Sequence, residues 1–299
     1  MTFALSLPPS LFPTACNSCS SMLRAFSGFS GGLLSRSTIL PRSTSRSAFF
    51  QGACRNYTMA ISNGANGVTD SRPVFFFDID NCLYSKGCNI HDEMQKLINK
   101  FFVKHLDLST EDAHMLHQKY YKEYGLAIEG LTRHHKIDPL EFNYEVDDAL
   151  PLDAILKPDP KLRKLLERLD TTKVKPWLLT NAYVSHGKRV VKLLGVEDLF
   201  EGITYCDYGQ LPLICKPSQE MYAKAEKEAG APSTESCYFV DDSHLNCRHA
   251  EARGWTTIHL VEPGTPTPRI PASKYSVSSL HELPAHFPDV FKNPEADAA

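Results

Sequence analysis

The sequence predicts an α/β fold in which a mainly parallel sheet is covered by helices and interrupted by an all-helical insertion. After residue 174, short apolar runs alternate with stretches of helical spacing, and such alternation is typical of parallel strands joined by right-handed crossovers. An isolated apolar run lies earlier, at residues 74–77, and residues from about 85 to 155 show helical spacing and no strand signal. We therefore expect a core built from two separate stretches of chain, with a small helical bundle between them.

The first predicted strand covers residues 74–77, where every side chain is apolar. Such a run is typical of a strand that is buried on both faces. Asp78 and Asp80 follow directly, and Asn81 favours a turn. Two carboxylates this close repel each other unless a cation or a shared proton offsets their charge. Taken alone, the stretch is also compatible with a strand that simply ends in a polar turn.

The insertion is predicted to contain several helices with recognisable ends. Asn89 is the candidate N-cap of the first helix and Ser109 that of the second, which Gly125 ends. Asp138-Pro139 and Asp159-Pro160 each place a proline at the first position of a further helix. The insertion, at residues 88–159, is therefore expected to form a bundle of its own.

The remaining core elements follow in regular alternation. The predicted strands are 174–180, 203–206, 238–240 and 256–261, and the predicted helices are 185–194, a helix after Pro217, and 245–252. From Gly264 onward the chain is rich in proline and then polar and acidic. We therefore expect residues 266–299 to form a C-terminal tail that is partly disordered.

Charge and cysteine content exclude several classes of protein. Five of the 32 basic residues and none of the 35 acidic residues lie before residue 70. The rest of the chain is therefore acidic, which argues against binding of a nucleic-acid polymer. No apolar run reaches the roughly 18 residues of a membrane span. Nine cysteines, an odd number scattered through predicted elements, argue against a disulfide framework.

The N-terminal segment, residues 1–70, is predicted to be disordered. Its first 58 residues are rich in serine and arginine and lack acids, which fits an organellar transit peptide. In the competing interpretation this segment is an upstream extension and Met59 is the working start. We expect a cytoplasmic or nuclear location, with organellar import as the alternative. Cys16 and Cys19 have metal-like spacing, but no second pair follows them.

Polar side chains gather where the buried strands end. Because the carboxyl ends of parallel strands meet at one edge of a sheet, we expect these groups to converge. They are Asp78 and Asp80, Thr180 and Asn181, Lys216 before a proline-started helix, and Asp241 and Asp242. Each motif is weak by itself, since a strand ending in Thr-Asn or an isolated Lys-Pro is common. The four in this order at successive strand ends indicate a single site.

Each of these groups has a physical role if the ligand is a phosphate monoester. Clustered carboxylates and a backbone carbonyl suit Mg²⁺, which bridges to phosphate. Asp78 can attack phosphorus when Mg²⁺ and Lys216 offset the repulsion between carboxylate and phosphate. Thr180 and nearby backbone N–H groups can hold the phosphoryl oxygens. Asp80 can protonate the leaving oxygen and then activate the water that cleaves the aspartyl-phosphate.

These motifs resemble those of the haloacid dehalogenase-like (HAD) phosphohydrolases. The matching stretches are Phe77–Cys82, Leu179–Asn181, Lys216-Pro217 and Val240–Ser243. The resemblance implies a Rossmann-like three-layer core at 71–87 and 160–265 and a C1-type helical cap at 88–159. It implies Asp78 as nucleophile, Asp80 as acid/base and carbonyl metal ligand, and Lys216 as charge stabiliser. Asp241 and Asp242 would hold Mg²⁺, with Asp242 as the direct ligand. Cys82 departs from the family pattern, which usually has threonine there.

Three further stretches make the chain similar to the pyrimidine 5′-nucleotidase branch, especially its fungal-type members. They are 75–84, 120–131 and 178–183. The resemblance implies hydrolysis of UMP- and CMP-like monophosphates, a small-molecule substrate. In the cap, Tyr121 is a candidate for stacking on the base, and Arg133 and His134 for contacts with ribose or base. The interpretation that we favour for the tyrosines is that they fill the core of the bundle, and Arg133 and His134 could be solvated helix ends.

Other functions are weighed against this one. The nearest alternative function is a phosphatase with the same chemistry that acts on lysophosphatidate or a sugar phosphate. Dehalogenase chemistry lacks the second aspartate of the first motif, so Asp80 argues against it. A non-catalytic module would not need the complete set of polar residues at the strand ends.

Overall fold

The computed structural model describes residues 70–266 and 268–292. Their centre is a six-stranded sheet of order β3-β2-β1-β4-β5-β6, in which all neighbouring strands are parallel. The strands are β1 Val74–Phe77, β2 Lys175–Thr180, β3 Gly202–Tyr205, β4 Cys237–Asp241, β5 Thr256–Leu260 and β6 Tyr275–Val277. The predicted α/β fold with a parallel sheet is confirmed. Predictions about residues 1–69 lie outside the described residues.

All elements between β1 and β2 are helical. The helices of the described residues are α1 Ile90–Leu106, α2 Thr110–Tyr124, α3 Ala127–His134, α4 Pro139–Phe142, α5 Leu152–Ile155, α6 Pro160–Glu167, α7 Val184–Leu194, α8 Gln219–Ala229, α9 His244–Arg253 and α10 Leu283–His286. A π-helical turn, Asn143–Asp147, follows α4 directly. None of the described helices is long and apolar enough to cross a membrane.

Helix ends follow the expected chemistry with one exception. The Ser109 side chain accepts a hydrogen bond from the Asp112 N–H, and Gly125 ends α2 with a φ of 76°. Asp159 caps α6 by accepting from two backbone N–H groups. Asn89 stands before α1, but its φ is 56° and its side chain makes no capping bond. The prediction of Asn89 as a side-chain cap is therefore wrong, because its left-handed backbone does not present the side chain to the helix.

Two cores lie on opposite faces of the sheet. Alternate residues of β1 point to opposite faces, so Phe75 and Phe77 belong to one core and Val74 and Phe76 to the other. The first core includes residues of α6 and α7, and the second includes residues of α8 and α9. The sheet and the helices on its two faces therefore form three layers. A separate core fills the helical insertion and contains Phe101, Phe102, Tyr120, Ile128 and Leu131.

The chain after residue 266 is more ordered than its composition predicts. It forms β6 at the edge of the sheet beside β5, followed by short helical turns that bury Leu283 and Phe287. Phe291 is buried and bridges to Leu169. The described part of the predicted tail, up to residue 292, therefore forms regular structure, and partial disorder of residues 266–299 stays a prediction. Scattered apolar residues cover the first core, although they form no periodic pattern in the sequence.

Candidate active site

Lys216 joins the ends of three strands. Its Nζ donates to Asp78 Oδ1 at 2.6 Å, beyond β1, and to Asp241 Oδ2 at 2.7 Å, at the end of β4. It also donates to the Leu179 carbonyl of β2 at 2.9 Å. The side chain is 1 % exposed. The lysine therefore uses three donors on two carboxylates and a carbonyl, and brings the predicted motifs together.

The charges of this cluster oppose the effect of burial. Burial raises the pKa of Asp78 well above its usual range, neighbouring acids add to the rise, and Lys216 acts against it. Burial alone would lower the pKa of Lys216, but Asp241 and Asp78 hold it above its usual range. The ammonium therefore stays charged, and it compensates two carboxylates, of which Asp241 is fully buried and Asp78 is 9 % exposed toward the cavity.

Asp78, Asp241 and Asp242 form a cluster of oxygen ligands. One carboxylate oxygen from each lies within 4.8 Å of the others. Asp241 is fully buried and also accepts from the Ser243 N–H at 2.6 Å and from Asn246 Nδ2. Asp242 lines the cavity above the cluster, and burial raises its pKa to about 6. An all-oxygen donor set of this kind fits Mg²⁺.

Asp80 is held through one of its two oxygens. His186 Nε2 and the Tyr84 hydroxyl both lie 2.7 Å from Asp80 Oδ1. Burial acts to raise the pKa of Asp80, but His186 and these bonds lower it overall. Burial acts to lower the pKa of His186, but Asp80 and Asp147 raise it to about 9. The fully buried His186 thus forms an ion pair with Asp80, whose side chain is 24 % exposed, beside the lysine cluster.

Thr180 and Asn181 close the end of β2. Thr180 Oγ1 accepts from the Ala182 N–H at 3.0 Å, and the residue lines the cavity. Asn181 bonds both backbone groups of Lys216, accepting from its N–H at 2.7 Å and donating to its carbonyl at 2.8 Å. The structure therefore gives Asn181 a structural task, which is to fix the loop that carries the lysine.

A cavity of about 160 Å³ lies above these strand ends. The sheet side contributes Asp78, Asp80, Thr180, Lys216 and Asp242, and the insertion contributes its opposite wall. Residues of that wall are Ile90, His91, Met94, Gln95, Ile98, His117, Tyr121, Phe142 and Asp147. The candidate site is therefore shared between the core and the helical insertion.

Of the three cap residues predicted to bind substrate, Tyr121 lines this cavity, whereas Arg133 and His134 do not. The Arg133 guanidinium donates to Glu129 at 2.6 Å and is more than half exposed. His134 bonds the Tyr124 hydroxyl at 2.7 Å. The structure therefore places both residues outside this cavity, and a contact with substrate stays a prediction for them. Both residues lie in the last turn of α3, outside the cavity lining. The sequence spacing did not reveal how this helix is oriented relative to the cavity.

Several residues in or beside the cavity were not among the candidate site residues of the sequence analysis. Tyr84, His117, Asp147 and His186 are all buried, and each lies in or beside the site through tertiary packing. His186 had the clearest signal, since it follows Thr180 by six residues and lies in the first turn of α7. Cys82, the departure from the family pattern, donates its thiol to the Val240 carbonyl at 3.7 Å. It thus supplies the loop with a weak bond to β4.

Comparison with known proteins places this geometry in a family. The model of haloacid dehalogenase-like hydrolases matches residues 73–252. Phosphate metabolism protein 8 of Saccharomyces cerevisiae is 43% identical over 201 residues, which are 64% of this chain and 63% of that protein. The match thus spans less than two thirds of the length of this relative.

Solved structures show the same fold. A HAD phosphatase of Thermococcus onnurineus is 16% identical with a TM-score of 0.50, over 72% of this chain and 97% of that chain. The HAD-hydrolase YfnB of Bacillus subtilis, bound to magnesium, is 14% identical with a TM-score of 0.50, over 72% of this chain and 98% of that chain. The family model covers more than half of the chain, and it confirms the predictions of the family and of an enzyme. The chain belongs to the haloacid dehalogenase-like hydrolases.

Proposed function

We propose that the protein is a Mg²⁺-dependent phosphomonoesterase that hydrolyses pyrimidine nucleoside 5′-monophosphates, UMP or CMP, to nucleoside and phosphate. The observation that carries the chemistry is Lys216 between Asp78 and Asp241, at the floor of a cavity shared with the insertion. The pyrimidine preference rests on the sequence resemblance and on the polar and aromatic groups of the cap wall.

Asp78 is the proposed nucleophile. It lines the cavity at the carboxyl end of β1, and Lys216 compensates its charge from the side, so a phosphate dianion can approach. Thr180 and the backbone N–H groups that follow β2 would hold the phosphoryl oxygens. Attack by a carboxylate oxygen of Asp78 on phosphorus forms an aspartyl-phosphate and releases the nucleoside oxygen.

Asp80 is the proposed acid and base. It lines the same cavity two residues beyond the nucleophile. It would give a proton to the departing oxygen, and then take one from the water that hydrolyses the aspartyl-phosphate. This order returns both aspartates to their starting states.

Asp242, Asp78 and the carbonyl of Asp80 would hold Mg²⁺, which supplies charge compensation for the phosphate. Asp242 lines the cavity and pairs with Lys86 at 2.8 Å, so its carboxylate can be reached by a cation. Asp241 is fully buried and accepts from Lys216, Ser243 and Asn246. These contacts support Asp242 as the direct ligand and Asp241 as the group that orients the lysine.

The cap wall supports a nucleotide as the substrate. Tyr121 and Phe142 offer aromatic faces, and Gln95 and His117 offer hydrogen-bonding groups. Aromatic walls with a few polar groups suit a base, whereas a lipid chain needs an apolar tunnel. Burial lowers the pKa of His117 to about 4, so this histidine is neutral at pH 7 and can accept a hydrogen bond.

A substrate panel tests the proposal. Initial rates with Mg²⁺ are measured for UMP, CMP, AMP, a sugar phosphate, lysophosphatidate and p-nitrophenyl phosphate. We expect kcat/KM for UMP or CMP to exceed that for AMP by about tenfold or more, because the second ring of a purine needs more room at the cap wall. Equal kcat/KM for purine and pyrimidine nucleotides would contradict the proposed base preference. If lysophosphatidate had the highest kcat/KM, the substrate would be a lipid phosphate and not a nucleotide.

Asp78→Asn is the control for the chemistry in this panel. It keeps the shape of the side chain but removes the nucleophile, so turnover should fall by about 1,000-fold or more for every substrate. Circular dichroism and the thermal midpoint verify that the variant is folded. Near-normal phosphate release by the folded variant would show that the mechanism is wrong.

A further inference from the structure

A second group of metal-ligating side chains lies in the helical insertion, apart from the strand ends. It contains His105 in the last turn of α1, Glu141 in α4 and Glu145 in the π-helical turn. One nitrogen of His105 and one carboxylate oxygen of each glutamate lie within 4.8 Å of one another. None of these three residues lines the cavity above the strand ends. The group is therefore separate from the candidate active site.

The distances within this group are close to those between ligands of one metal ion. His105 Nε2 lies 3.3 Å from Glu145 Oε1, and His105 Nδ1 lies 4.0 Å from Glu141 Oε2. Two ligand atoms bound at about 2.0–2.2 Å to one tetrahedral zinc ion lie roughly 3.3–3.5 Å apart. The Glu141 side chain is 49 % exposed, so its carboxylate can turn toward Nε2 and complete the ligand set.

The ring of His105 is held in place by aromatic packing. It stacks on Phe101 with 4.0 Å between the ring centroids, and Phe101 meets Phe142 edge-on at 5.1 Å. Phe101 and Phe142 are both buried, whereas the His105 side chain keeps 14 % exposure. The packing thus fixes the imidazole and leaves part of it open to solvent. Little side-chain freedom is therefore lost when this ring binds an ion.

The charges of the group favour a divalent cation. The hydrogen bond from Lys104 holds the pKa of Glu145 below its usual range, so this carboxylate is ionised at neutral pH. Glu141 has no ion-pair partner other than His105 within residues 70–266 and 268–292. Lys104 Nζ lies 2.5 Å from Glu145 Oε1, but the lysine side chain is 60 % exposed, and such surface pairs contribute little. A cation of charge +2 can displace this ammonium and offset both glutamates.

The donor atoms of the two metal-ligating groups differ in kind. The acids at the strand ends offer oxygen only, which Mg²⁺ prefers. The group in the insertion offers an imidazole nitrogen and two carboxylates, a set that suits Zn²⁺ and related first-row transition ions. Zn²⁺ in the presence of excess Mg²⁺ is therefore the appropriate probe for this second group.

We propose that His105, Glu141 and Glu145 bind a divalent first-row transition ion such as Zn²⁺. The ion joins the C-terminal end of α1 to α4 and the π-helical turn. Ile98 of α1 and Phe142 of α4 both line the cavity above the strand ends. The ion therefore stabilises the wall that the insertion presents to this cavity. The site is independent of the proposed reaction, because none of its ligands takes part in it.

The first experiment measures Zn²⁺ binding to the full chain by equilibrium dialysis in excess Mg²⁺, which occupies the acids at the strand ends. The chain has 12 histidines and nine cysteines, so the difference between variants is the measure and not the total. We expect H105N and E141Q each to weaken binding of one ion by at least about tenfold. H249N removes an exposed histidine of α9 and should bind like wild type.

Glu141 is exposed, so E141Q keeps the test valid if H105N disturbs the insertion, and circular dichroism verifies that each variant is folded. Zn²⁺ binding by folded E141Q that equals wild type would overturn the three-ligand site. So would a loss in H105N alone, or a loss in H249N as large as in H105N.

The second experiment tests the competition with Lys104. Lys104→Met should tighten Zn²⁺ binding several-fold, because it removes an ammonium from a carboxylate that binds the ion. Lys119→Met, at an exposed position of α2, is the matched control and should leave the affinity unchanged. Equal affinities of the Lys104 variant and wild type would overturn the assignment of Glu145 as a ligand.

The third experiment locates the ion by amide hydrogen exchange. Zn²⁺ should slow exchange at the end of α1 and at residues 141–147 in wild type but not in E141Q, and it should leave β6 unchanged. No change in wild type, or the same change in E141Q, would overturn the link between these segments. These measurements follow binding and not turnover, so their failure leaves the proposed function intact, and inactivity toward every phosphate ester leaves this site intact.

Discussion

Lys216 shows how one buried cation can hold a site together. Its ammonium contacts Asp78 and Asp241 and has almost no access to water. Removing one partner of such a group leaves a buried charge without compensation, which usually costs about 3–5 kcal/mol. The same arrangement that neutralises two acids in the free enzyme also prepares the floor of the cavity for an anionic substrate.

Lys216→Met is predicted to destabilise the protein by about 3–5 kcal/mol at pH 8, because Asp78 and Asp241 lose their cation. Burial already raises the pKa of Asp78, and loss of the lysine raises it further. A buried carboxylate with a raised pKa in the folded state destabilises the fold most at pH values above that pKa, where it is ionised. As the pH falls, the carboxylate is protonated and the loss of stability disappears. The deficit should therefore be smaller at pH 5 than at pH 8, as measured by urea unfolding.

Lys192→Met, at an exposed position of α7, is the control for this experiment. It should change the unfolding free energy by less than about 0.5 kcal/mol at either pH. A deficit in the Lys216 variant that is the same at pH 5 and pH 8 would contradict the electrostatic explanation.

At the scale of the element, β6 is the least expected part of the sheet. It has three residues and pairs Leu260 of β5 with Val277. Val277 is 2 % exposed and belongs to the first core, whereas its neighbour Ser276 faces solvent. β6 is therefore the edge strand of the sheet, and it contributes a single buried side chain to the core. The helical turns that follow it in the chain cover the same core.

Val277→Asp is predicted to lower the free energy of unfolding by about 2–4 kcal/mol, because it buries a charge without a partner. Ser276→Asp is the matched control on the opposite face of the same strand and should cost less than about 1 kcal/mol. Chemical denaturation of both variants gives the measurement. Similar stability of the two would mean that β6 does not contribute to the core.

At the scale of the whole molecule, the site depends on two parts of the chain that fold around different cores. The sheet supplies the acids and the lysine, and the insertion supplies the opposite wall. The cavity between them, about 160 Å³, is smaller than the roughly 300–1,000 Å³ of ordinary ligand sites. If the substrate is a nucleotide, as proposed, the insertion has to move away from the sheet to admit it.

Mg²⁺ is predicted to stabilise the folded protein, because its ligands come together only in the folded state. At about 100 times the dissociation constant, the cation should add about 2.7 kcal/mol to the free energy of unfolding and raise the thermal midpoint by several degrees. Removal with EDTA should reverse the shift. The measurement is differential scanning fluorimetry with and without Mg²⁺.

Asp242→Asn should reduce this shift, since it removes the carboxylate that lines the cavity. Asp289→Asn removes the same charge from an exposed position and should leave the shift unchanged. If both variants respond to Mg²⁺ like wild type, the cation does not bind at Asp242.

The sequence by itself determined five of the six strands, their parallel arrangement and the residues at their ends. Buried strands are visible as short apolar runs, and each predicted core strand corresponds to an observed one within about two residues. Asp78 and Lys216 could be found because the carboxyl ends of parallel strands must meet, so order along the chain becomes proximity in space.

The tertiary structure alone decided how the insertion faces this edge. It excluded Arg133 and His134 from the cavity, brought in His117 and Asp147, and placed His186 on Asp80. The packing of one helix on another sets these positions. Local spacing fixes which residues share a helix face, but not which neighbour that face meets.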